Sequence, residues 1–508
     1  MDKLRVLLSA GAMLGLVAGT AHAGRILDMD GNPATVTGTG LAVGVDGFPE
    51  MGGPYTGGQG LETESAVPWS VPQPGKVNMR VNVFVNEFPM AAWWTGMSGT
   101  SSIAGTVGNK QQPYGIYGWI RLDFGIDAMT KTGVKYGGYV QIRENNTTAI
   151  SGGTASIAAG NFTAGAAPPA TGLAGSSVTS GFAQSASSDS SDNILYVRHA
   201  NVYLGTDQLG FIRMGTGLGS QTLYEVGLFD DFDIGGWISF ASSNVASGAT
   251  PVWPWADEGG AYMAARIQYV SPVIAGFDFG VDFAPNNSTP FDGSGCSQSS
   301  GGVGCATQES STLAGDYGTR YRNEVGGAVR YRNTFGPVGM AANVTWTHSG
   351  TVSDAAAPVQ AYHGLDIGDA GAYVQIAKQL ELGGNIMWGA INGNWALKPA
   401  GGTDAFAWVT GVKWTIPQIP ATLGAYYFNY KYQGTTSCAD GGCNTQRTSQ
   451  GLDVGAVYGF GPGVVAVVEY AWGQVYQGNV NLLSGALGSA AYNTVNANVI
   501  TAGMSVRF

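Results

Sequence analysis

The sequence carries little charge. Asp, Glu, Lys and Arg make up 11% of its 508 residues, whereas ordinary globular proteins carry about 25%. The formal net charge is −11, and no stretch of the chain concentrates Lys and Arg. Because a nucleic-acid-binding protein needs a basic patch or stripe, this composition argues against a nucleic-acid partner.

Long apolar runs are also missing. A membrane-spanning helix needs about 20 consecutive apolar residues, and the run at residues 6–17 is too short for one. Lys3 and Arg5 precede this run, and residues 21–23 follow it as a small-x-small cleavage site. This is the pattern of a secretory signal peptide, so we expect residues 1–23 to be removed on export.

Residues 24–75 follow the expected cleavage site and are rich in Gly, Pro and Thr, with no sustained period. Three structures are compatible with this composition: a disordered leader, a segment tucked into the lumen of a larger fold, and a partly paired extra strand. The pattern does not choose among them. Regular patterns begin only after this leader, so we expect residues 76–508 to form the folded domain.

Cysteine is scarce, and its four residues form two close pairs, Cys296 with Cys305 and Cys438 with Cys443. Export makes disulfides possible, and four cysteines allow three connectivities. The spacing does not match common zinc motifs. We expect two local bridges that staple loop tips, with free thiols as the alternative, and no metal site.

Histidine is equally scarce. After residue 23 the chain has only His199, His348 and His363, and no G-x-S-x-G, H-E-x-x-H or P-loop pattern occurs. Those patterns mark the common hydrolase and nucleotide-binding sites. A Ser-His-Asp set can be drawn from any chain with so many serines, so that possibility alone carries no weight. We expect no enzyme activity and no cofactor.

The chain is rich in residues that suit strands and tight turns, with 81 glycines, 23 tyrosines and 19 phenylalanines. Apolar and polar residues alternate in many runs that are separated by turn signals. In the first run, Val77, Met79 and Val81 alternate with Asn78 and Asn82. The sixteen predicted strands are 77–86, 115–127, 134–143, 194–204, 209–215, 261–270, 276–284, 321–332, 338–348, 370–378, 381–391, 404–414, 422–432, 450–460, 464–473 and 500–508.

The segments between the predicted strands alternate in length. Short ones such as 205–208 and 461–463 alternate with long ones such as 144–193 and 216–259. Bacterial single-chain membrane barrels have an even number of strands, short periplasmic turns and long outer loops. A soluble sandwich would also alternate apolar and polar faces, but it would not explain this rhythm. We therefore expect an all-β fold, a transmembrane antiparallel β-barrel of about sixteen strands.

Two groups of opposite charge are candidates for a filter inside such a barrel. If segment 216–259 folds inward, its carboxylates would face wall cations across a narrow gap, and the resulting field would select among solutes. If the segment is a solvated outer loop, the two groups are unrelated, and the residues alone do not decide. The segment carries Glu225, Asp230, Asp231 and Asp233, and the candidate wall cations are Arg80, Arg121, Lys135, Arg143, Arg198 and Arg213.

Three stretches resemble the Gram-negative general porin family. Residues 198–205 and 209–215 are similar to the hairpin that precedes the constriction loop of that family, and residues 267–277 are similar to the strand-turn-strand unit that follows it. The chain also stops on Phe508, and a C-terminal strand ending in Phe resembles the assembly signal of Gram-negative outer-membrane barrels. The resemblance covers roughly residues 77–508.

This resemblance implies a homotrimeric porin in the outer membrane of a Gram-negative bacterium, in contact with lipid and inserted by the barrel-assembly machinery. It implies passive diffusion of small hydrophilic solutes and ions. It also implies that the third outer loop folds into the lumen and sets its carboxylates against the wall cations. The alternatives are a substrate-specific or gated channel, a structural or adhesive barrel, and an outer-membrane hydrolase. The leader at 24–75 is longer than in a typical member, which leaves room for a plug or an altered first strand.

Overall fold

The computed structural model describes most of the chain after residue 73. The described ranges are 74–96, 113–147, 195–227, 249–255, 264–286, 321–351, 362–377, 379–393, 395–434, 446–461, 464–483, 487–488 and 491–507. The predicted signal peptide, nearly all of the predicted leader, the four cysteines and Phe508 lie outside these ranges, so the expectations for them stay predictions.

Within the described ranges, sixteen wall strands, two short strands and one short helix form the regular structure. The strands of the wall are β1 (Val77–Trp94), β2 (Tyr114–Met129), β3 (Lys135–Thr147), β4 (Leu195–Thr206), β5 (Gly210–Thr216), β6 (Ala265–Val270), β7 (Phe277–Asn286), β8 (Tyr321–Phe335), β9 (Val338–Thr351), β11 (Asp366–Ile376), β12 (Leu380–Ala390), β14 (Ala405–Thr415), β15 (Ala421–Tyr432), β16 (Arg447–Gly461), β17 (Val464–Tyr476) and β18 (Thr494–Arg507). Two short strands, β10 (Tyr362–His363) and β13 (Lys398–Pro399), pair with each other, and helix α1 is Ser220–Tyr224.

Each wall strand pairs antiparallel with its neighbours in chain order, and β18 pairs with β1 to close the ring. Closure leaves no strand edge with unpaired backbone groups. Hydrocarbon offers those groups no hydrogen-bond partner, so a sheet that spans a membrane has to close. The predicted sixteen-stranded antiparallel barrel is confirmed.

The outer face of the wall is apolar, and the inner face carries the charge. On β2, Arg121, Asp123 and Asp127 are 0–2% exposed, whereas Phe124 and Ile126 between them are 39% and 45% exposed on the outside. Because side chains alternate between the two faces of a strand, the period-2 pattern of the sequence becomes a difference between lumen and exterior.

β1 and β18 extend furthest beyond their predicted bounds, for one physical reason. β1 continues to Trp94 and β18 starts at Thr494, and in both extensions apolar side chains point inward. Phe88, Met90, Val495 and Val499 are at most 5% exposed and belong to one apolar cluster. With apolar residues on the inner face, the expected alternation of apolar exterior and polar interior breaks down, and the pattern stops predicting a strand.

That apolar cluster fills the interior next to the strand ends that bear the long loops. It joins inward side chains of eight wall strands to residues of the connections. On the outer face at the same height, a chain of amides crosses four strands. Asn429 donates to Gln450 (3.1 Å), Gln450 to Gln474 (2.8 Å) and Gln474 to Asn496 (2.8 Å). Near the long-loop end of β15–β18, therefore, the side chains that face inward are apolar and those that face outward are polar.

The connections follow the predicted rhythm. The short turns 130–134, 207–209, 271–276, 336–337, 377–379, 416–420 and 462–463 alternate with connections of fourteen or more residues, so all short turns lie at one end of the barrel. Within the described ranges, no helix is long and apolar enough to cross a membrane.

A charge on the outer wall should destabilise the barrel according to its depth. Val468 near the middle of β17 and Tyr476 at its end both face outward, with 48% and 45% exposure. We expect Val468→Arg to lower the free energy of unfolding from lipid vesicles by about 2–4 kcal/mol and Tyr476→Arg by about 0–1 kcal/mol. Urea titration of the refolded barrel measures both. Equal costs at the two positions would contradict a lipid-facing wall.

Candidate functional site

The connection between β5 and β6, residues 217–264, contacts the inner wall at both of its described ends. Its first part contains α1, whose five residues are all buried. The backbone N–H of Ser220 donates to Asp282 on β7 (2.5 Å), and the Tyr224 hydroxyl donates to the backbone oxygen of Phe279 (2.8 Å). Thr347 on β9 donates to Gln221 (2.8 Å). The helix therefore packs against the inner face of β7–β9.

Buried ion pairs surround this helix. Arg266 Nη1 on β6 lies 2.6 Å from Asp282 Oδ2 and 3.0 Å from Glu324 Oε1, and Arg330 Nη2 on β8 lies 2.7 Å from Asp278 Oδ2. The side chains of all five residues are at most 3% exposed. Pairing is required here because an isolated buried charge costs many kcal/mol.

The same arginines also hold the connection. Arg330 Nη1 donates to the backbone oxygen of Leu223 (3.3 Å), and its guanidinium lies 4.7 Å from the centre of the Tyr224 ring. Arg213 Nη2 on β5 donates to the backbone oxygen of Leu218. The Leu223 carbonyl lies in the last turn of α1, where helix carbonyls lack intrahelical partners, and the Leu218 carbonyl lies just before the helix, so wall cations hold the backbone at both ends of α1.

The second described end of the connection, residues 249–255, crosses to the far wall. The Trp253 ring lies 5.1 Å from Phe428 and 5.8 Å from Tyr426, both on β15, and 4.5 Å from Trp255. The indole N–H of Trp255 donates to Asn385 on β12 (2.7 Å). In barrel order β15 lies seven strands from β6, so the connection reaches nearly the opposite side of a sixteen-stranded ring.

The predicted basic wall is described only in part. Arg121 is 1% exposed, and its Nε lies 3.3 Å from Asp123 Oδ2. Lys135 pairs with Asp207 (2.7 Å) in a short turn. Lys135 is opposite Met129 in register, eight residues from Arg121 along β2, which is about 26 Å. Arg121 and Lys135 therefore lie at different heights.

The other predicted wall cations sit within the sheet. Arg80, Arg143 and Arg198 belong to β1, β3 and β4, and Arg143 is opposite Arg121 in register. Their side chains lie outside the description, so the prediction that they line a constriction stays a prediction.

Of the predicted acidic residues, only Glu225 lies in a described range. It is fully buried at the end of α1, and Gln221 Nε2 donates to its Oε1 (3.3 Å). Asp230, Asp231 and Asp233, with the aromatic residues between them, lie in 228–248, outside the described ranges. The prediction that they face the wall cations is not tested.

Sequence reasoning did not select the ion pairs of β6–β8 as part of the site. The signal was present, because Asp278 and Arg330 lie on predicted polar faces and are directly opposite each other in the register of β7 and β8. Opposite charges at such cross-strand positions stabilise each other. The contacts of Trp253 and Trp255 had no local signal, since their partners lie more than a hundred residues away in sequence.

The three histidines belong to three different strands. His199 is buried and faces inward on β4, with its ring 6.3 Å from Tyr139. His348 stacks on Trp346 (5.6 Å) on the outer face of β9, and His363 belongs to β10. Over the described part of the chain, no group of three or more His, Cys, Asp or Glu side chains could hold a metal ion.

A closed barrel with an apolar exterior, a charged interior and a connection that enters the interior defines a membrane-spanning β-barrel channel. The chain belongs to the Gram-negative porin family, whose model matches residues 10–476. It is an outer-membrane porin, as the resemblance in the sequence predicted.

Solved structures of porins and channels are similar to this chain at low identity. The anion-selective porin from Comamonas acidovorans is 14% identical, with 85% of this chain and 100% of that chain covered and a TM-score of 0.48. The outer membrane channel DcaP of Acinetobacter baumannii is 10% identical, covering 86% and 99%, with a TM-score of 0.46. A mutant of the Rh. blastica porin is 12% identical, covering 85% and 100%, with a TM-score of 0.42. No curated protein matches the chain in sequence. The family assignment therefore depends on the match to the family model, and the solved structures add no argument to it.

Removing the arginine shared by two carboxylates should destabilise the protein strongly. Arg266→Met leaves Asp282 and Glu324 buried without this partner, and breaking a buried pair in this way costs about 3–5 kcal/mol. The triple variant Arg266→Met, Asp282→Asn, Glu324→Gln removes the charges as well and should recover much of that loss. Thermal unfolding in detergent measures both variants. A single variant as stable as the wild type would show that the pairs are solvated.

Proposed function

We propose that this porin lets small hydrophilic solutes and ions diffuse passively across the outer membrane, and that residues 217–264 form the loop that narrows its lumen. The observation that carries this proposal is the contact of both described ends of that connection with inward-facing side chains. Residues 228–248, which include Asp230, Asp231 and Asp233, connect two segments that both lie against the lumen wall. We therefore expect these carboxylates to reach the lumen.

The expected mechanism is a filter by width and charge, without a covalent step. Carboxylates of the loop and cations of the wall would set up a field across the narrowest part of the path, and the field would act on permeating ions there. The proposed signal peptide and the terminal Phe508 would serve export and assembly.

Charge neutralisation tests the filter directly. Replacing Asp230, Asp231 and Asp233 together with Asn should shift the reversal potential in a salt gradient across a planar bilayer toward that of anions, because three negative charges leave the narrow part of the path. Asp404→Asn, at an exposed position outside β14 where Lys398 Nζ pairs with Asp404, is a matched control that should leave it unchanged. An unchanged reversal potential in the triple variant would remove these residues from the filter, and a purified wild type without conductance would refute the channel mechanism.

We further propose that the protein assembles as a homotrimer through the wall around β1. Glu87 lies between the inward-facing Asn86 and Phe88 and is exposed on the outer face. Its carboxylate lies over Gly118 on β2, where an added Cβ would meet Glu87 Oε2 at 2.5 Å. Charge on a lipid-facing wall costs free energy, so this region suits contact with another protomer better than contact with lipid.

The variant Glu87→Leu distinguishes contact with a second protomer from contact with lipid, because it should weaken the oligomer in the first case and stabilise the barrel in the second. If Glu87 faces a second protomer, the substitution should lower the temperature at which the oligomer dissociates in detergent. If it faces lipid, the substitution should leave the oligomer unchanged and stabilise the barrel. Gel mobility after stepwise heating, with light scattering for the mass of the oligomer, measures both. A monomeric mass for the wild type would exclude the trimer.

A further inference from the structure

The two described ends of the 217–264 connection meet at one group of inward side chains. Val226 N–H donates to Asn343 Oδ1 (3.1 Å), and Asn385 Nδ2 donates to the backbone oxygen of Val226 (3.1 Å). The indole N–H of Trp255, from the other end, is shared between Asn385 Oδ1 (2.7 Å) and Asp369 Oδ2 (3.2 Å). The three wall residues belong to the adjacent strands β9, β11 and β12.

Asp369 is the centre of this group. Its Oδ1 accepts from Asn343 Nδ2 (3.0 Å) and Asn385 Nδ2 (3.2 Å), and its Oδ2 accepts from Trp255. Asp369 is fully buried, and the two asparagines are 2–3% exposed. One carboxylate therefore orients both asparagines and binds the returning end of the connection.

Gly371 makes this arrangement possible. It lies opposite both Asn343 and Asn385 in register, and an added Cβ there would meet the backbone oxygen of Val226 at 1.9 Å. Gly227 on the connection has a φ of +80°, a conformation suited to glycine, and its own Cβ position is 2.3 Å from the backbone oxygen of Gly384. The backbone of the connection at Val226 and Gly227 therefore lies in direct contact with the backbone of the inner wall at Gly371 and Gly384.

We propose that Asn343, Asp369 and Asn385 are positioning residues that clasp both described ends of the connection on the wall three to five strands from β6, and that this clasp sets the width of the channel. The inference rests on the proposed function, in which residues 217–264 narrow the lumen. It adds that β9, β11 and β12, rather than the strands that bear the connection, fix where the narrowing lies. The clasp thereby joins the described segments 217–227 and 249–255 at one place on the wall.

Two independent variants break the clasp. Asp369→Asn keeps the shape of the side chain but places an NH₂ donor where an acceptor is needed. Gly371→Ala places a methyl group inside the contact with Val226. Each has a control: Asp127→Asn removes another buried carboxylate of the inner wall, and Gly327→Ala adds a methyl group where nothing lies within 4 Å. All four are first shown to fold by their heat-dependent mobility on gels.

Conductance and hydrogen exchange then test different parts of the proposal. In planar bilayers, both clasp variants should show single-channel conductance raised on the order of twofold, because the narrowest section limits conduction, and both should admit larger sugars into proteoliposomes. Amide hydrogen exchange of peptides covering 223–227 and 249–255 should be faster in both, since exchange reports local opening. The control variants should match the wild type in every measurement.

The possible results separate this proposal from the proposed function. Unchanged exchange in both Asp369→Asn and Gly371→Ala would overturn the clasp, whatever the conductance. Faster exchange with unchanged conductance would overturn its role in channel width. A wild-type barrel that conducts nothing would overturn the proposed function and with it the claim about width, while exchange would still decide whether these residues hold the connection.

Discussion

The backbone hydrogen bonds between β1 and β18 are the constraint on which the rest of the structure depends. They turn an open sheet into a ring, and a ring is the only sheet that hydrocarbon tolerates, because it leaves no N–H or C=O group without a partner. Phe84 pairs with Arg507 at one end of this seam and Trp94 with Ala497 at the other. Once the ring is closed, each side chain of a wall strand faces either the lipid or the lumen. The lipid-facing positions therefore have to be mostly apolar, and most charged residues of the wall are confined to the lumen.

The lumen side of the division explains the ion pairs. Charges excluded from the outer face accumulate inside, where the connection covers them, and burial then requires each to have a partner. Arg266 and Arg330 meet this requirement with carboxylates of neighbouring strands and with α1 and the backbone around it. Buried pairs contribute little net stability, because desolvation offsets their attraction. They also position α1, because Arg330 donates to the backbone oxygen of Leu223 and Asp282 accepts from the backbone N–H of Ser220.

Sequence patterns predicted most of the wall and little of the site. Alternation located all sixteen strands and failed at 87–94 and 494–499, where apolar side chains turn inward and reverse the expected phase. Single residues on polar faces, such as Arg121, could be assigned to the lumen. Contacts such as Trp255 with Asp369, 114 residues apart, could not, because they depend on how far a loop travels across the ring, and no local period encodes that distance.

The filling of the lumen therefore depends on the connections as well as on the strand number. Sixteen strands alone would enclose a wide aqueous lumen. Here inward apolar residues of β14, β15, β17 and β18 pack with Trp253, Leu397 and Val480 from three different connections. Burying such side chains stabilises each by about 1.5–3 kcal/mol, so the connections are held inside the ring by the same effect that holds a soluble core together. A porin built in this way can change how its lumen is filled by altering residues of the connections while its lipid-facing wall stays the same.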